Sequence, residues 1–382
     1  MVTEKAGEKK YLLMSVTAGV GLVPQVEKFG REIAGDSYKN YIVIRKYDFA
    51  YNKSATKEFP EGYISMLNQH DIAAVPNSIF TCFRVTDSTS YPPFFDYLFH
   101  NNYHGLWLKK YIEVGARAHG SLSIDTKYLW NMPLALPCLE EQQKIADCLS
   151  SLDVLIDAES RKLEALKKYK KGLMQKLFPA EEKTLPELRF PEFDGQWVNN
   201  KLGDLFANRQ ETGFQELPLM SLTEEYGLVP QRETNKKDNS NADKSKYLRV
   251  CEGDIVYNTM RMWQGRCAHC KNEGIVSPAY TVCIPKEICD GLFFYYYFKT
   301  YRIIQKFYAN SQGLVSDTLN LKFDKFSTIT IDYPQPKEQQ KIADYLSKID
   351  SLIMKQSNKV TMLKTHKKGL MQGLFPPLEE VD

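Results

Sequence analysis

A 39-residue stretch occurs twice in this chain. EQQKIADCLSSLDVLIDAESRKLEALKKYKKGLMQKLFP runs from Glu141 to Pro179. It returns as EQQKIADYLSKIDSLIMKQSNKVTMLKTHKKGLMQGLFP from Glu338 to Pro376, without a gap and with 25 of 39 positions identical. A repeat of this quality constrains architecture before any single residue does. In the first copy Ile145, Leu149, Leu152, Ile156, Leu163, Leu166, Leu173 and Leu177 follow 4-3 spacing, interrupted by Glu159 and Lys170. The second copy gives Ile342, Leu346, Ile349, Ile353, Val360, Leu363, Leu370 and Leu374, interrupted at the matching places by Gln356 and Lys367. An apolar strip this narrow, repeating every 3.5 residues, is a coiled-coil seam. It predicts two helices of about 36 residues, roughly 55 Å each. Phe178-Pro179 and Phe375-Pro376 end them, because proline cannot continue a helix. Lys167, Lys168, Lys170, Lys171, Lys367 and Lys368 gather towards the C-terminal ends, where the helix dipole favours positive charge. The alternative, two core helices of one globular domain, fits less well: helices so long, with polar flanks, are hard to bury in a single core.

The rest of the chain is duplicated more loosely. YLLMSVTAGVGLVPQ (Tyr11 to Gln25) matches LPLMSLTEEYGLVPQ (Leu217 to Gln231), and KYDFAYN from Lys46 matches EGDIVYN from Glu252. Both pairs are 206 residues apart, against 197 for the helices. The order is therefore globular unit, long helix, globular unit, long helix. Tyr41–Ile44, Asp254–Tyr257 and Thr328–Ile331 read as strands. Gly291–Phe307 reads as one aromatic helix, with Phe94–Leu108 as its counterpart. The expected boundaries are 1–137 for the first unit, 138–179 for the first helix, 180–196 for a proline-rich, charged connector laid over a surface, 197–335 for the second unit and 336–377 for the second helix. Met1 aligns with Ala207, so nothing in the first unit matches Trp197–Phe206, and that unit is expected to be the less complete. The fold class expected is α+β: two tandem α/β domains separated by two long helices that pair as an antiparallel coiled coil.

Composition excludes little. The net charge is +3 over 382 residues, which neither identifies nor excludes a nucleic-acid binder, and 43% apolar content is ample for real cores. MVTEKAGEKK is charged, so no signal peptide is expected, and the longest apolar run, Leu292 to Phe298, is too short to span a bilayer. A cytoplasmic location and reduced cysteines are expected. Gly19-Val20-Gly21 could suggest an AdoMet loop, but Glu225 stands in the place of Gly19 in the second unit. Tyr91-Pro92-Pro93-Phe94 is similar to the Asp/Asn-Pro-Pro-Tyr/Phe motif of amino-methyltransferases, yet lacks the Asp or Asn that accepts the amino hydrogen. There is no phosphate-binding G-x-x-x-x-G-K-[ST] loop. Cys267-Ala268-His269-Cys270, with Cys283 and Cys289, could supply four thiolates to zinc; no second C-x-x-C accompanies them, and no metal is expected. Polar loops follow each Tyr-Asn landmark. Asn52, Lys53, Ser54, Thr56 and Lys57 lie in the first, and Asn258, Thr259, Arg261, Gln264 and Arg266 in the second. Arg117, His119 and Ser121, then Ser311, Gln312 and Ser316, come later. Asn and Gln suit adenine edges, Arg and Lys suit guanine, and hydroxyls suit phosphate. Two related units with different polar loops suit the reading of two different half-sites of double-stranded DNA.

The whole pattern resembles the DNA specificity subunit of type I restriction–modification systems. The resemblance rests on the two helix entries, PCLEEQQKIA from Pro137 and PKEQQKIA from Pro336, on the two KKGLMQ-x-LFP exits, and on Leu202-Gly203-Asp204-Leu205 opening the second unit. It covers essentially the whole chain. It implies that the globular units are target recognition domains, that each reads half of an interrupted site, and that the helices pack antiparallel as a spacer. It further implies docking of two methyltransferase subunits, assigned to Gln142, Lys144, Gln339 and Lys341, and of motor-nuclease subunits through the complex. Catalysis, with AdoMet, ATP and Mg, would belong to those partners, and this chain would hold no cofactor. The rival readings are a scaffold that binds only proteins, and a DNA methyltransferase in its own right.

Overall fold

The computed structural model describes residues 1–54, 56–112, 125–223, 227–234, 240, 243–313 and 318–375. By its internal contacts the chain divides into two units, Met1–Ser160 with Asn358–Asp382, and Arg161–Ser357. The boundary falls inside the two long helices, which run over Leu139–Leu177 and Pro336–Leu374, 39 residues each. Each unit therefore owns the first part of one long helix and the last part of the other.

In the first unit β1 (Met14–Thr17) and β2 (Gly21–Pro24) form a hairpin, β3 (Ile42–Arg45) pairs with β6 (Ile72–Val75), and β4 (Phe49–Asn52) lies between β5 (Tyr63–Met66) and β7 (Phe80–Phe83), all antiparallel. Gly19 and Gly21 are the hairpin turn, with φ of +77° and +114°, so the glycine pair serves backbone geometry. The core joins Phe49 and Ile64 of the sheet to Phe94, Phe95, Phe99 and Leu108, and takes Ile145, Leu149 and Phe375 from the long helices.

The second unit repeats these pairings: hairpin β10 (Met220–Thr223) with β11 (Gly227–Pro230), β12 (Leu248–Val250) with β15 (Gly274–Val276), and β13 (Ile255–Asn258) between β14 (Cys267–His269) and β16 (Tyr280–Pro285). The hairpin registers agree residue for residue, Met14 opposite Pro24 and Met220 opposite Pro230. Two strands are additional. β8 (Val198–Lys201) pairs with β17 (Thr330–Tyr333), and β9 (Phe206–Asn208) extends the sheet beside β16. They flank Leu202–Leu205, and Trp197, Leu202, Leu205 and Phe206 are buried in a core with Phe293, Phe294 and Tyr297. Among the described residues of the first unit these strands have no counterpart. The connector is fastened to the second unit: Leu185 and Phe190 pack on its core, and Arg189 forks onto Glu338, its Nε and Nη2 at 2.9 and 2.7 Å. Glu338 is 1% exposed, a carboxylate made tolerable at that depth by the bidentate arginine and by Trp197, whose Nε1 donates to Oε1 at 3.4 Å.

Each aromatic helix is two helices. Pro92–His100 and Tyr103–Leu108 are parted at Asn102, which takes the left-handed conformation at φ +61°. Gly291–Tyr297 and Tyr301–Asn310 are parted at Thr300, which is extended. The break folds an aromatic face back onto the sheet, which a straight helix could not do.

The long helices pair antiparallel within each unit. In the first, Asp153 meets Lys367 and Glu159 meets Lys359, both at 2.5 Å. In the second, Lys170 meets Asp350 at 2.5 Å and Tyr169 Oη lies 3.1 Å from Tyr345 Oη. As one number rises the other falls, the signature of opposed chains. The 4-3 positions are buried or half-buried while their flanks are exposed. Full burial of a leucine or isoleucine contributes about 1.5–3 kcal/mol.

One buried position changes its chemistry between the two units. His104 is fully buried, its Nε2 3.4 Å from the Gly62 carbonyl and its Nδ1 without a partner. Burial pushes its pKa down to about 4, so it folds neutral. The equivalent residue of the second unit, 199 positions on, is buried Ile303. The unfolded chain takes up the proton first, near pH 6.5. Stability supplied by neutral His104 is thus present above that pH and lost as pH falls towards 4. His104→Ile is expected to remove about 3 kcal/mol of acid-induced loss over this window. Thermal denaturation of both proteins against pH checks this. The comparison cancels the opposite contribution of Asp96, whose carboxyl burial raises.

Candidate nucleic-acid interface

The polar loops expected to meet DNA begin at the same turn in both units. Asn52 Oδ1 accepts a hydrogen bond from Ser54 N, and Asn258 Oδ1 accepts one from Met260 N, each at 2.9 Å. Bidentate pairing with adenine needs that oxygen. In this conformation the two asparagines shape the turn and present the residues beyond it. In the first unit Lys53 and Ser54 are half-buried, and Thr56 and Lys57 are exposed. Thr56 Oγ1 accepts from Phe59 N at 3.0 Å. Asn52, Thr56 and Lys57 line a cavity of about 450 Å³ together with Thr17 and Lys28.

In the second unit Thr259 is held by the Ala279 carbonyl, 3.1 Å from its Oγ1. Arg261, Gln264 and Arg266 are exposed around the short helix Met262–Gln264. Leu321 N donates to Thr259 O at 2.8 Å, and Gln312 bridges Asn320, so the 311–312 segment is tied to the same turn. Ser311 Oγ donates to Phe307 O at 2.8 Å, closing the helix before it. The structure thus gathers Asn258, Thr259, Arg261, Gln264, Arg266, Ser311 and Gln312 into one region. Arg117, His119, Ser121 and Ser316 lie outside the described residues.

Two arginines near this site are bound by carboxylates of the protein itself. Arg209 forks onto buried Asp254 at 2.8 and 3.1 Å and touches Glu211. Arg249 is shared between Glu211 and Glu273. Their charge is met by these neighbouring carboxylates. Arg261 and Arg266 are the exposed cations of the 258–266 turn.

Lys28 was not among the sequence candidates. It reaches back to the hairpin, Nζ 3.3 Å from the Val16 carbonyl and 3.5 Å from Ser15 Oγ, and burial lowers its pKa. The repeated GLVPQ of the hairpin was the available signal, read as a landmark of the duplication. A second cavity, about 510 Å³, flanks the other hairpin at Pro230, Gln231 and Arg232.

The four residues assigned to methyltransferase docking divide. Gln142 and Gln339 are 1% and 0% exposed. Gln142 Oε1 accepts from Tyr91 N, and its Nε2 donates to the carbonyls of Thr89 and Pro137, at 2.9, 3.1 and 2.9 Å. Gln339 does the same with Asp290 N and the carbonyls of Ile288 and Pro334, at 2.8, 3.1 and 2.8 Å. The expectation is corrected for both glutamines: they staple each domain to its helix and present nothing to a partner. Losing one removes three hydrogen bonds to the backbone, at roughly 0.5–1.5 kcal/mol each. Lys144 is exposed, and Lys341 is exposed and paired with Glu192.

The cysteines show no metal geometry. Cys267, Cys270 and Cys283 are buried, Cys270 Sγ donates to Asn272 O at 3.0 Å, and no cluster of His, Cys, Asp or Glu among the described residues could hold an ion. Burial pushes the thiols of Cys267 and Cys270 up to about 11 and about 12, and those of Cys82 and Cys289 to about 12. At pH 7.5 a disulfide reagent is expected to modify exposed Cys138 and Cys148 promptly and the buried thiols only after unfolding. Residue-resolved mass mapping with time checks it, and prompt loss of Cys267 or Cys270 would contradict it.

Such a fold is a duplicated pair of α/β bodies carried on two helices, with a polar turn at the same place in each. The type I restriction modification DNA specificity domain matches residues 8–168 and 195–362. The chain belongs to that family. A putative type I restriction enzyme MjaX specificity subunit of Methanocaldococcus jannaschii is 29% identical over 284 residues, covering 69% of this chain and 63% of that protein. The MjaVIII specificity subunit of the same organism is 26% identical over 304 residues, covering 72% and 68%. Among solved structures, the S subunit of a type I restriction–modification system from M. genitalium aligns over 98% of this chain and 90% of its own, with a TM-score of 0.55 at 14% identity. A chain from a type I R-M system studied for complex assembly and conformational transition aligns over 96% and 91%, with a TM-score of 0.51 at 15% identity. These two likenesses establish the shared fold. No helix among the described residues is long and apolar enough to cross a membrane.

Proposed function

We propose that this chain is the non-catalytic sequence-reading subunit of a type I restriction–modification enzyme. Each globular domain reads one half of an interrupted double-stranded DNA site, and the paired helices set the gap. The observation that carries the reading is the contrast between frame and loops. Sheets, hairpin register and glutamine staples recur in both units, while the turns after Asn52 and Asn258 differ in every reading residue. A common frame with dissimilar loops suits two different half-sites. Arg261 and Gln264 in the second domain, and Lys53 and Lys57 in the first, are the leading contacts, with Lys28 on phosphate.

Two methyltransferase subunits would dock on exposed faces of the helices and carry AdoMet; motor-nuclease subunits would join through them with ATP and Mg. Lys144 and Lys341 remain candidates for that surface. The modest net charge suits a subunit that shares phosphate neutralisation with partners. The complex would act in the cytoplasm.

Three heptads inserted at matched points of both helices would lengthen the pair by about 31 Å, close to one turn of B-DNA. The preferred gap is expected to grow by about ten base pairs while the bases read stay the same. Binding of the assembled methyltransferase complex to duplexes of permuted gap measures this. An unchanged gap preference would discard the ruler, and no sequence preference in the parent complex would favour the protein-only scaffold.

A further inference from the structure

Lys170 and Lys367 are charged residues in the middle of leucine seams, where a lysine weakens pairing. In the structure each joins the same three-part cluster. Lys170 Nζ is 2.5 Å from Asp350 Oδ1, and Tyr296 Oη donates to the other oxygen, Oδ2, at 2.7 Å. Lys367 Nζ is 2.5 Å from Asp153 Oδ1, and Tyr97 Oη donates to Asp153 Oδ2 at 2.9 Å. Each lysine also lies over the tyrosine ring of its cluster, 5.0 and 5.2 Å from the centroid. The first cluster lies wholly in the second unit and the second wholly in the first. The duplication relates them: Lys170 to Lys367 and Asp153 to Asp350 at 197 residues, Tyr97 to Tyr296 at 199. One geometry kept in both copies of the duplication argues for a role beyond incidental surface pairing.

We propose that these two Lys–Asp–Tyr clusters fix the register of the helix pair and the angle at which each domain is mounted on it, and so determine which gap between half-sites is accepted. This rests on the DNA-reading function. One carboxylate takes the lysine of the facing helix on one oxygen and the tyrosine of the domain on the other, so three elements meet at one group. A slip of one residue turns a helix by about 100° and a slip of one heptad moves it about 10 Å. Either leaves a lysine among leucines without its carboxylate. Apolar seams tolerate several registers; a polar pair set in the seam, here half-buried at both places, selects one, at some cost in stability. Phase matters because adjacent base pairs of B-DNA are turned by roughly 35°. A reader mounted loosely by that angle confuses gaps one base pair apart.

The test replaces each ion pair with apolar residues of similar size, Lys170→Met with Asp350→Leu and Lys367→Met with Asp153→Leu, in the full-length chain. A milder variant, Tyr97→Phe with Tyr296→Phe, keeps both rings and removes only the hydroxyls. Spin labels at exposed Lys168 and Lys348 report register within the second unit without DNA. One narrow distance is expected in the parent and a broadened or shifted distribution in the ion-pair variant. In the assembled methyltransferase complex, discrimination between the native gap and gaps one base pair longer or shorter is expected to fall about tenfold in both variants, with binding at the native gap nearly kept. An unchanged distance distribution together with unchanged gap discrimination overturns the proposal. A shifted distribution in a chain whose parent complex shows no sequence preference would keep the register role and remove the DNA-reading function on which its consequence rests.

Discussion

Two helices with an apolar strip only one or two side chains wide cannot be stable alone in water, and each has the other as its nearest complement. That constraint organises the molecule. A seam of leucine and isoleucine turns one side of each helix to its partner. The ends of the same helices then become the floors of the domain cores, through Ile145, Leu149 and Phe375 in one unit and through Leu173, Leu177, Ile342 and Leu346 in the other. Domain and helix are one hydrophobic body in each unit.

Polar chemistry is layered on this body to specify it. Gln142 and Gln339 close the three hydrogen bonds that join a domain loop to the first turn of its helix. Buried Asp48 and Asp254 each hold an arginine, but from different strands: Arg84 beyond β7 in the first unit, Arg209 beyond β9 in the second. The same electrostatic requirement is met by a different residue because the second sheet has one more strand. Duplication kept the need and let the solution drift.

Much of the frame was legible in the sequence because its signals are local and periodic. The 4-3 pattern placed both helices to within three residues of their length, and the two GLVPQ hairpins marked the duplication. Thr328–Ile331 lay two residues short of β17. What failed depended on distant parts of the chain. The breaks at Asn102 and Thr300 fold an aromatic face back on a sheet; asparagine, which tolerates the left-handed conformation, and threonine, a common N-cap, were the local signals available. Gln142 and Gln339 read as surface residues of a polar first turn; only the return of residues 89–91 and 288–290 buries them. The polar turns follow the Tyr-Asn landmark in the structure as in the sequence, but that landmark gave no hint that the asparagine side chains close the turn themselves.

As proposed, one chain recognises DNA in two parts across a gap of one length. Methylation mapping of a host carrying this subunit with its methyltransferase partner tests it most directly. The account predicts modified adenines in a single asymmetric motif, two short specific blocks around an unspecified gap of one length. A continuous motif, or blocks separated by a gap of varying length, would contradict it.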